Sequence, residues 1–525
     1  MGKYDDFLIG QLVRGRAALG GHLAKALVAE FNVSADNARK IVQRASDSGV
    51  IKSSRPLSFG NGQYLYVRTD SFFGRSLIKR FAERHRKPLY RLLELLQSNK
   101  IISFYEGLKV FSSPEEKTSS KVSLLKDIVD DLEKLKLIVS AKDIRGNRYI
   151  IDSDTDQRKY GDLYEILIEQ HYQAMQLDAM FIPDILRWMK ALNFIDLGVT
   201  YRNFKFPTIG VKHNNLFWDA YAYTKTTGIN PSRASQAGSE LKQTLVTLDL
   251  VISRKYLQVD LDGYLSRIQI NINSAKMAER KIMPVVVYSE IEDQTLNSIK
   301  KLGFVAVDLK MVYGKNITVV MDKVRNMYSG FNEEDLSDTI ETALRSIEDS
   351  GHSDQLRALR GVLFEALMQP VIKNLYPNSQ VLQDKKLKDP SNGKSREFDL
   401  IIISSHPKEV LLVELKGYTG KSLIQVGNAD IKDTLRYFFR GSVPVAQSFY
   451  RNDKALHGHA IKAAYITTGG FHLDTAEFMQ KIGSSSFRPS KLEVFHDGAA
   501  LEQLLAENGF DHESKIIKKY YSQNY

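Results

Sequence analysis

Residues 397–418 read EFDLIIISSHPKEVLLVELKGY, and this segment restricts the fold more than any other part of the chain. Two apolar runs, FDLIII and VLLVELK, flank a short break containing Pro407. Short apolar runs of this kind predict paired strands that are buried on both faces. Yet Asp399, Glu414 and Lys416 lie within them, and burying a charge costs several kcal/mol unless it is paired or ligated. A turn centred between His406 and Pro407 leaves Asp399 and Glu414 equally far from that centre. The two carboxylates then face each other across an antiparallel ladder, roughly 4.5–5.5 Å apart at Cβ. Lys416, two residues beyond Glu414, shares their face.

Opposed carboxylates repel unless a cation sits between them. The chain has no Cys, so a metal would have to be held by carboxylates or His. Mg²⁺ fits, or Mn²⁺ in its place, because a hard ion takes oxygen ligands and often uses only one or two carboxylates plus substrate phosphate. Such an ion lowers the pKa of bound water and neutralises charge developing on a scissile phosphate. Lys416 could orient the attacking water or stabilise the phosphorane-like oxygens. The plainer alternative is an edge hairpin with solvated charges. Leu400, Ile401, Ile402 and the run Val410 to Val413 argue against it, since they make both faces apolar.

Asp399, fourteen intervening residues and Glu414-Leu415-Lys416 resemble the signature of the PD-(D/E)xK, or restriction-endonuclease-like, nuclease superfamily. The surrounding pattern agrees with the family's order of helix, antiparallel strands, helix and strand. LRALRGVLFEALMQPVIKNLY reads as a helix, followed by the hairpin, DIKDTLRYFF as a helix, AIKAAYITTG as a strand, LDTAEFMQKI as a helix and KLEVFH as a strand. The resemblance implies metal binding by Asp399, Glu414 and the Leu415 carbonyl, and water activation by Lys416. It also implies an acidic residue on the first helix, for which Glu365 is the candidate; the alternative is an ordinary helix carboxylate. Phe398 stands where the signature has Pro. In the loop GYTGKSLIQVGN, Lys421 and Gln425 could touch phosphate, and Arg436 on the next helix is a further candidate.

At 525 residues the chain calls for about three or four domains. Hydrophobic content of 43% with 26% charged residues is globular. No apolar run reaches the roughly 18–20 residues of a membrane span, and the N-terminus reads as no signal peptide, so a cytoplasmic location is expected. The 73 Lys and Arg against 62 Asp and Glu give +11, which favours a polyanionic partner such as DNA.

Residues 1–75 read as a winged helix: a helix through GHLAKALVAEF, a turn at Asn32-Val33, Ser34 as N-cap of a second helix, then strands around a wing with Asn61-Gly62. That second helix would show Asn37, Lys40, Gln43 and Arg44 to DNA, with Arg55 in the following loop. Contact with protein instead of DNA is the alternative. Residues 86–155 look like a second winged-helix-like copy with a hairpin turning at Gly146-Asn147, and its acidic last helix suits packing or dimerisation. Residues 156–199 read as a helical connector, 329–355 as an acidic linker or helix, and 356–525 as the nuclease domain.

Residues 200–328 read as a degenerate nuclease-like α/β domain. Two registers are possible there. A hairpin about Arg254-Lys255 opposes Asp249 to Asp260 and puts Asp262 at the Lys position; the rival opposes Asp219 to Asp249 and puts Val251 there. Neither has the Lys. The fold class is therefore α/β multidomain, with winged-helix domains followed by a degenerate and then an intact restriction-endonuclease-like domain. The function expected is a metal-dependent endonuclease cutting DNA, as a restriction or antiphage-defence effector working as a homo-oligomer or with a partner protein, and not at a membrane. A repair or junction-resolving nuclease is one alternative. A non-catalytic DNA-binding or assembly protein that keeps the fold as a scaffold is the other.

Overall fold

The computed structural model describes residues 2–522 apart from 13–15, 61, 115–123, 155–162, 228–229, 232–242, 275–280, 329–332, 350–355, 419–420 and 452. The fold is mixed α/β. Contacts divide it into two compact units, Met1–Ile182 with Met189–Asp308, and Pro183–Trp188 with Leu309–Tyr525. Among the described residues, no helix is long and apolar enough to cross a membrane.

In the first unit, helix Lys3–Gln11 precedes helices Gly20–Phe31 and Ala35–Asp47, beside a three-stranded sheet whose middle strand is Leu65–Arg68. Asn32 turns the chain in a left-handed conformation (φ 50°), and Ser34 Oγ accepts from the Asn37 amide to start the second helix. Leu23, Leu27, Ile41 and Val42 form its core. Of the Asn61-Gly62 wing, Asn61 lies outside the described residues. Helices Lys87–Asn99, Phe104–Phe111 and Leu125–Lys134 follow, with a second three-stranded sheet in the same order, its third strand Arg148–Asp152 in the middle. The turn at Gly146 (φ 85°) forms as the sequence predicts.

A five-stranded sheet completes the first unit, ordered Leu197–Tyr201, Ala220–Thr224, Thr244–Val251, Ile282–Tyr288, Val305–Asp308. The first three strands run antiparallel and the last two continue parallel to the third. The expected hairpin about Arg254-Lys255 does not exist, because Gln258–Ser274 is a helix. Asp260 instead accepts from the Leu257 amide at the start of that helix and pairs with Arg254. The period-2 reading failed there because DLDGYLSRIQI also fits a helical period, and packing chose between them.

The second unit repeats this scheme. Helix α1 (Arg357–Leu375) leads into β1 (Gln380–Lys388), β2 (Ser395–Ser405) and β3 (Lys408–Lys416). A π-helical turn, Tyr437–Ser442, opens α2 (Val443–Arg451), and then come β4 (Ala460–Thr467) and β5 (Phe495–His496). The sheet order is β1-β2-β3-β4-β5, antiparallel through β3 and parallel beyond. DIKDTLRYFF is only partly helical: residues 430–434 are turns and bends, so the helix starts later than its pattern suggests. Only Phe495–His496 of KLEVFH pairs as a strand. Along β2 and β3, Ile401, Ile402, Leu411 and Leu412 are completely buried.

Candidate functional site

The β2–β3 ladder pairs Leu400 with Val413 and Ser405 with Lys408, leaving His406-Pro407 as a two-residue turn. One rung further, this register opposes Asp399 to Glu414, as the sequence predicts. On the other side, β1 pairs Gln383 with Leu400 and Lys385 with Phe398, which puts Asp384 opposite Asp399. Across the parallel ladder Glu414 lies beside Tyr465 of β4. Three carboxylates and one phenol therefore occupy a single row across four strands.

Asp384 adopts a left-handed backbone conformation (φ 48°), which Asp tolerates better than most residues. Oxygens of Asp384, Asp399 and Glu365, the last supplied by α1, lie within 4.8 Å of one another. This all-oxygen donor set, half-buried to buried, suits a hard divalent cation. A second feature points the same way: the Tyr465 hydroxyl is buried and has no hydrogen-bond partner among the described residues.

Lys416 Nζ lies 2.7 Å from Glu414 Oε1, 3.4 Å from Asp433 Oδ1 and 3.8 Å from Asp399 Oδ2. Burial works against its charge, but Glu414, Asp399 and Asp433 together hold the ammonium well above the ordinary lysine value. The Leu415 amide donates to Asp399 Oδ2 at 2.8 Å, so the strand that carries Glu414 and Lys416 also orients Asp399.

The structure thus gathers Asp399, Glu365, Glu414, Leu415 and Lys416, with Glu414 turned onto Lys416. Sequence reasoning missed Asp384 and Asp433. Asp384 was findable: the loop DPSNGK centres on Ser391-Asn392, and Asp384 and Asp399 are equally far from that centre. Asp433 gave no such signal, because a loop residue has no register. Lys421, Gln425 and Arg436 are exposed in the stretch after β3. In the first unit Asn37, Lys40, Gln43 and Arg44 are exposed on helix Ala35–Asp47, and Arg55 lies exposed over the Tyr64 ring.

The first unit holds a counterpart in which the rival register is the correct one. Ala220 pairs with Leu248, so Asp219 opposes Asp249. The Leu250 amide donates to Asp219 Oδ2 at 2.9 Å, matching the Leu415–Asp399 bond. Val251 stands at the Lys position, but an ammonium is supplied from elsewhere. Lys109, on helix Phe104–Phe111, reaches Asp219 Oδ2 at 2.5 Å and Asp249 Oδ1 at 3.0 Å. Arg202 meets Asp219 at 3.1 Å and Arg267 meets Asp249 at 2.6 Å. Burial opposes ionisation of both carboxyls, yet Lys109 and these arginines hold both below the usual carboxylate range. The remaining cavity, lined by Tyr105, Lys109, Arg202 and Leu250 among others, measures about 10 Å³, at most the room of one water. Compared with family models, curated proteins and solved structures, the chain matches none.

Proposed function

We propose that the second unit is a divalent-metal-dependent phosphodiesterase that cuts DNA, and that the first unit binds DNA without cutting. The observation that carries this reading is the convergence of Glu365, Asp384 and Asp399 within reach of one ion, on the same row as Glu414, which pairs with Lys416. Those three carboxylates would hold Mg²⁺ or Mn²⁺. A bound ion there supplies a water of lowered pKa and neutralises charge on the scissile phosphate. Glu414 holds the Lys416 ammonium in place, and Lys416, kept protonated, donates to an oxygen of the phosphate or positions the water. The Leu415 amide fixes the orientation of Asp399. In the counterpart centre Lys109 already bridges both carboxylates, and the cavity beside it, about 10 Å³, has no room for a phosphate. A DNA-reading unit joined to a cutting unit fits a restriction or antiphage-defence effector.

The test is cleavage of plasmid and linear DNA with Mg²⁺, with Mn²⁺ and with EDTA, beside calorimetric titration of Mg²⁺. Metal-dependent cutting is expected; cutting that persists in EDTA, or no binding of either ion, overturns the proposal.

DNA binding by the first unit rests on the exposed basic face of helix Ala35–Asp47. Lys40→Ala and Arg44→Ala should each lower the slope of log affinity against log salt by about one. Fluorescence anisotropy with a labelled duplex between low and moderate salt reads this directly. Unchanged slopes would move the DNA contact elsewhere.

A further inference from the structure

Beside the carboxylate row a cleft of about 410 Å³ opens, lined by Arg187, Arg357, Arg360, Tyr418 and Asp433 among others. Among the described residues its one lining carboxylate, Asp433, already faces Lys416 at 3.4 Å, and three guanidiniums line the cleft with it. Arg360 is only 4% exposed. Among the described residues its guanidinium makes no hydrogen bond or ion pair; it stands 5.3 Å from the centre of the Tyr521 ring. The Tyr521 hydroxyl in turn donates to the Arg360 carbonyl at 2.8 Å, which fixes ring and helix together. A buried cation without a counter-charge is costly, and a protein retains one chiefly where a ligand supplies the missing anion. Arg187 is held in place by Asp184 at 2.5 Å, and Asp184 also takes the amides of Ala358 and Leu359 at the start of α1.

We propose that this cleft binds a phosphate monoester, with Arg360 as the bidentate ligand at its floor and Arg187 and Arg357 at its rim. The planar fork of a guanidinium matches two phosphate oxygens, which a lysine or an amide does not do. A monoester presents three terminal oxygens, two for the fork of Arg360 and one for the rim, where a phosphodiester has only two. Because the cleft adjoins Lys416 through Gly417 and Asp433, the monoester that suits it is the terminal phosphate of a nucleic-acid strand. That identification deepens the nuclease reading and rests on it, whereas the phosphate chemistry does not.

The test measures binding in EDTA, where no cutting intervenes. The probes are a short DNA duplex bearing 5′-phosphates, the same duplex with 5′-hydroxyls, and inorganic phosphate as competitor. Wild type should favour the phosphorylated duplex by about tenfold, the strength expected of one charge-assisted fork. Arg360→Met should remove that preference while leaving the hydroxyl duplex unaffected, and Arg360→Lys should restore only part of it. Competition by inorganic phosphate, lost in Arg360→Met but without any end preference, assigns the cleft to free phosphate and overturns the strand-end source. Equal affinity for both duplexes together with no competition overturns the site altogether. Mg²⁺ titration of each variant reports the carboxylate centre separately. A phosphate preference that survives where no variant binds Mg²⁺ would remove the nuclease reading and keep the phosphate site.

Discussion

Asp399→Asn should reduce Mg²⁺-dependent DNA cleavage by roughly 10²–10⁴-fold, the range seen when a group acting on the reacting atoms is lost. Asp399 touches every part of the centre. Its oxygens lie within 4.8 Å of those of Glu365 and Asp384, and it accepts from Leu415 and faces Lys416. Asparagine keeps the shape and removes the charge, so folding should survive while the affinity for Mg²⁺ falls. Lys416→Met should lower cleavage comparably but by another route. It strips the ammonium from between Glu414 and Asp399 and leaves two buried carboxylates opposed. Added Mg²⁺ should therefore raise the melting temperature of Lys416→Met more than that of wild type, and that of Asp399→Asn hardly at all. Thermal melts with and without Mg²⁺ check this ordering. The sign with pH also follows. The Lys416 value is raised in the folded protein, so its contribution is fully present below the ordinary lysine value and is lost as pH rises through the raised one. Metal-free protein should show no Lys416-linked loss of stability near neutrality.

Lys109→Met should destabilise the first unit by about 3–5 kcal/mol, the usual cost of removing one partner from a buried ion pair. Lys109 bridges two buried carboxylates that face each other at 2.5 and 3.0 Å. Without it, Asp219 keeps Arg202 and Asp249 keeps Arg267, but no cation bridges the two carboxylates across the rung. Urea unfolding followed by circular dichroism measures the loss, and the exposed Lys40→Met, expected within about 0.5 kcal/mol of wild type, is the control. The carboxyls of Asp219 and Asp249 are both held low. The stability they contribute is present above the ordinary carboxylate values and lost as pH falls through the depressed ones. Lys109→Met should accordingly flatten the acid limb of the stability curve. A variant as stable as wild type, with an unchanged acid limb, would show that Lys109 is a bystander.

Much of the second centre could be read from the chain because its information is local. A two-residue turn at His406-Pro407 and the alternation of a strand set the rung on which Asp399 meets Glu414, and the observed ladder has that register. The same arithmetic, applied to DPSNGK, reaches Asp384. The first centre was harder because its two carboxylates sit on strands separated by a long connection. Two registers were compatible with the sequence, and only the helix Gln258–Ser274 excluded one of them.

By itself the sequence determined the register of the hairpin at His406-Pro407, the helix start at Ser34, and the presence of charges that a buried hairpin must satisfy. These depend on turns, caps and side-chain periods a few residues long. Tertiary structure alone decided which groups satisfy those charges. Glu365 comes from a helix and Asp433 from a loop, and Lys109 reaches Asp219 from 110 positions away in the chain. Packing also buried Arg360 with no counter-charge among the described residues. Contacts between segments so distant depend on how helices and sheets pack, and no spacing along the chain encodes them. The two five-stranded sheets share one topology and the same opposed acidic pair. They differ in where the lysine comes from: Lys416 lies on the strand of the pair itself, whereas Lys109 reaches in from a helix.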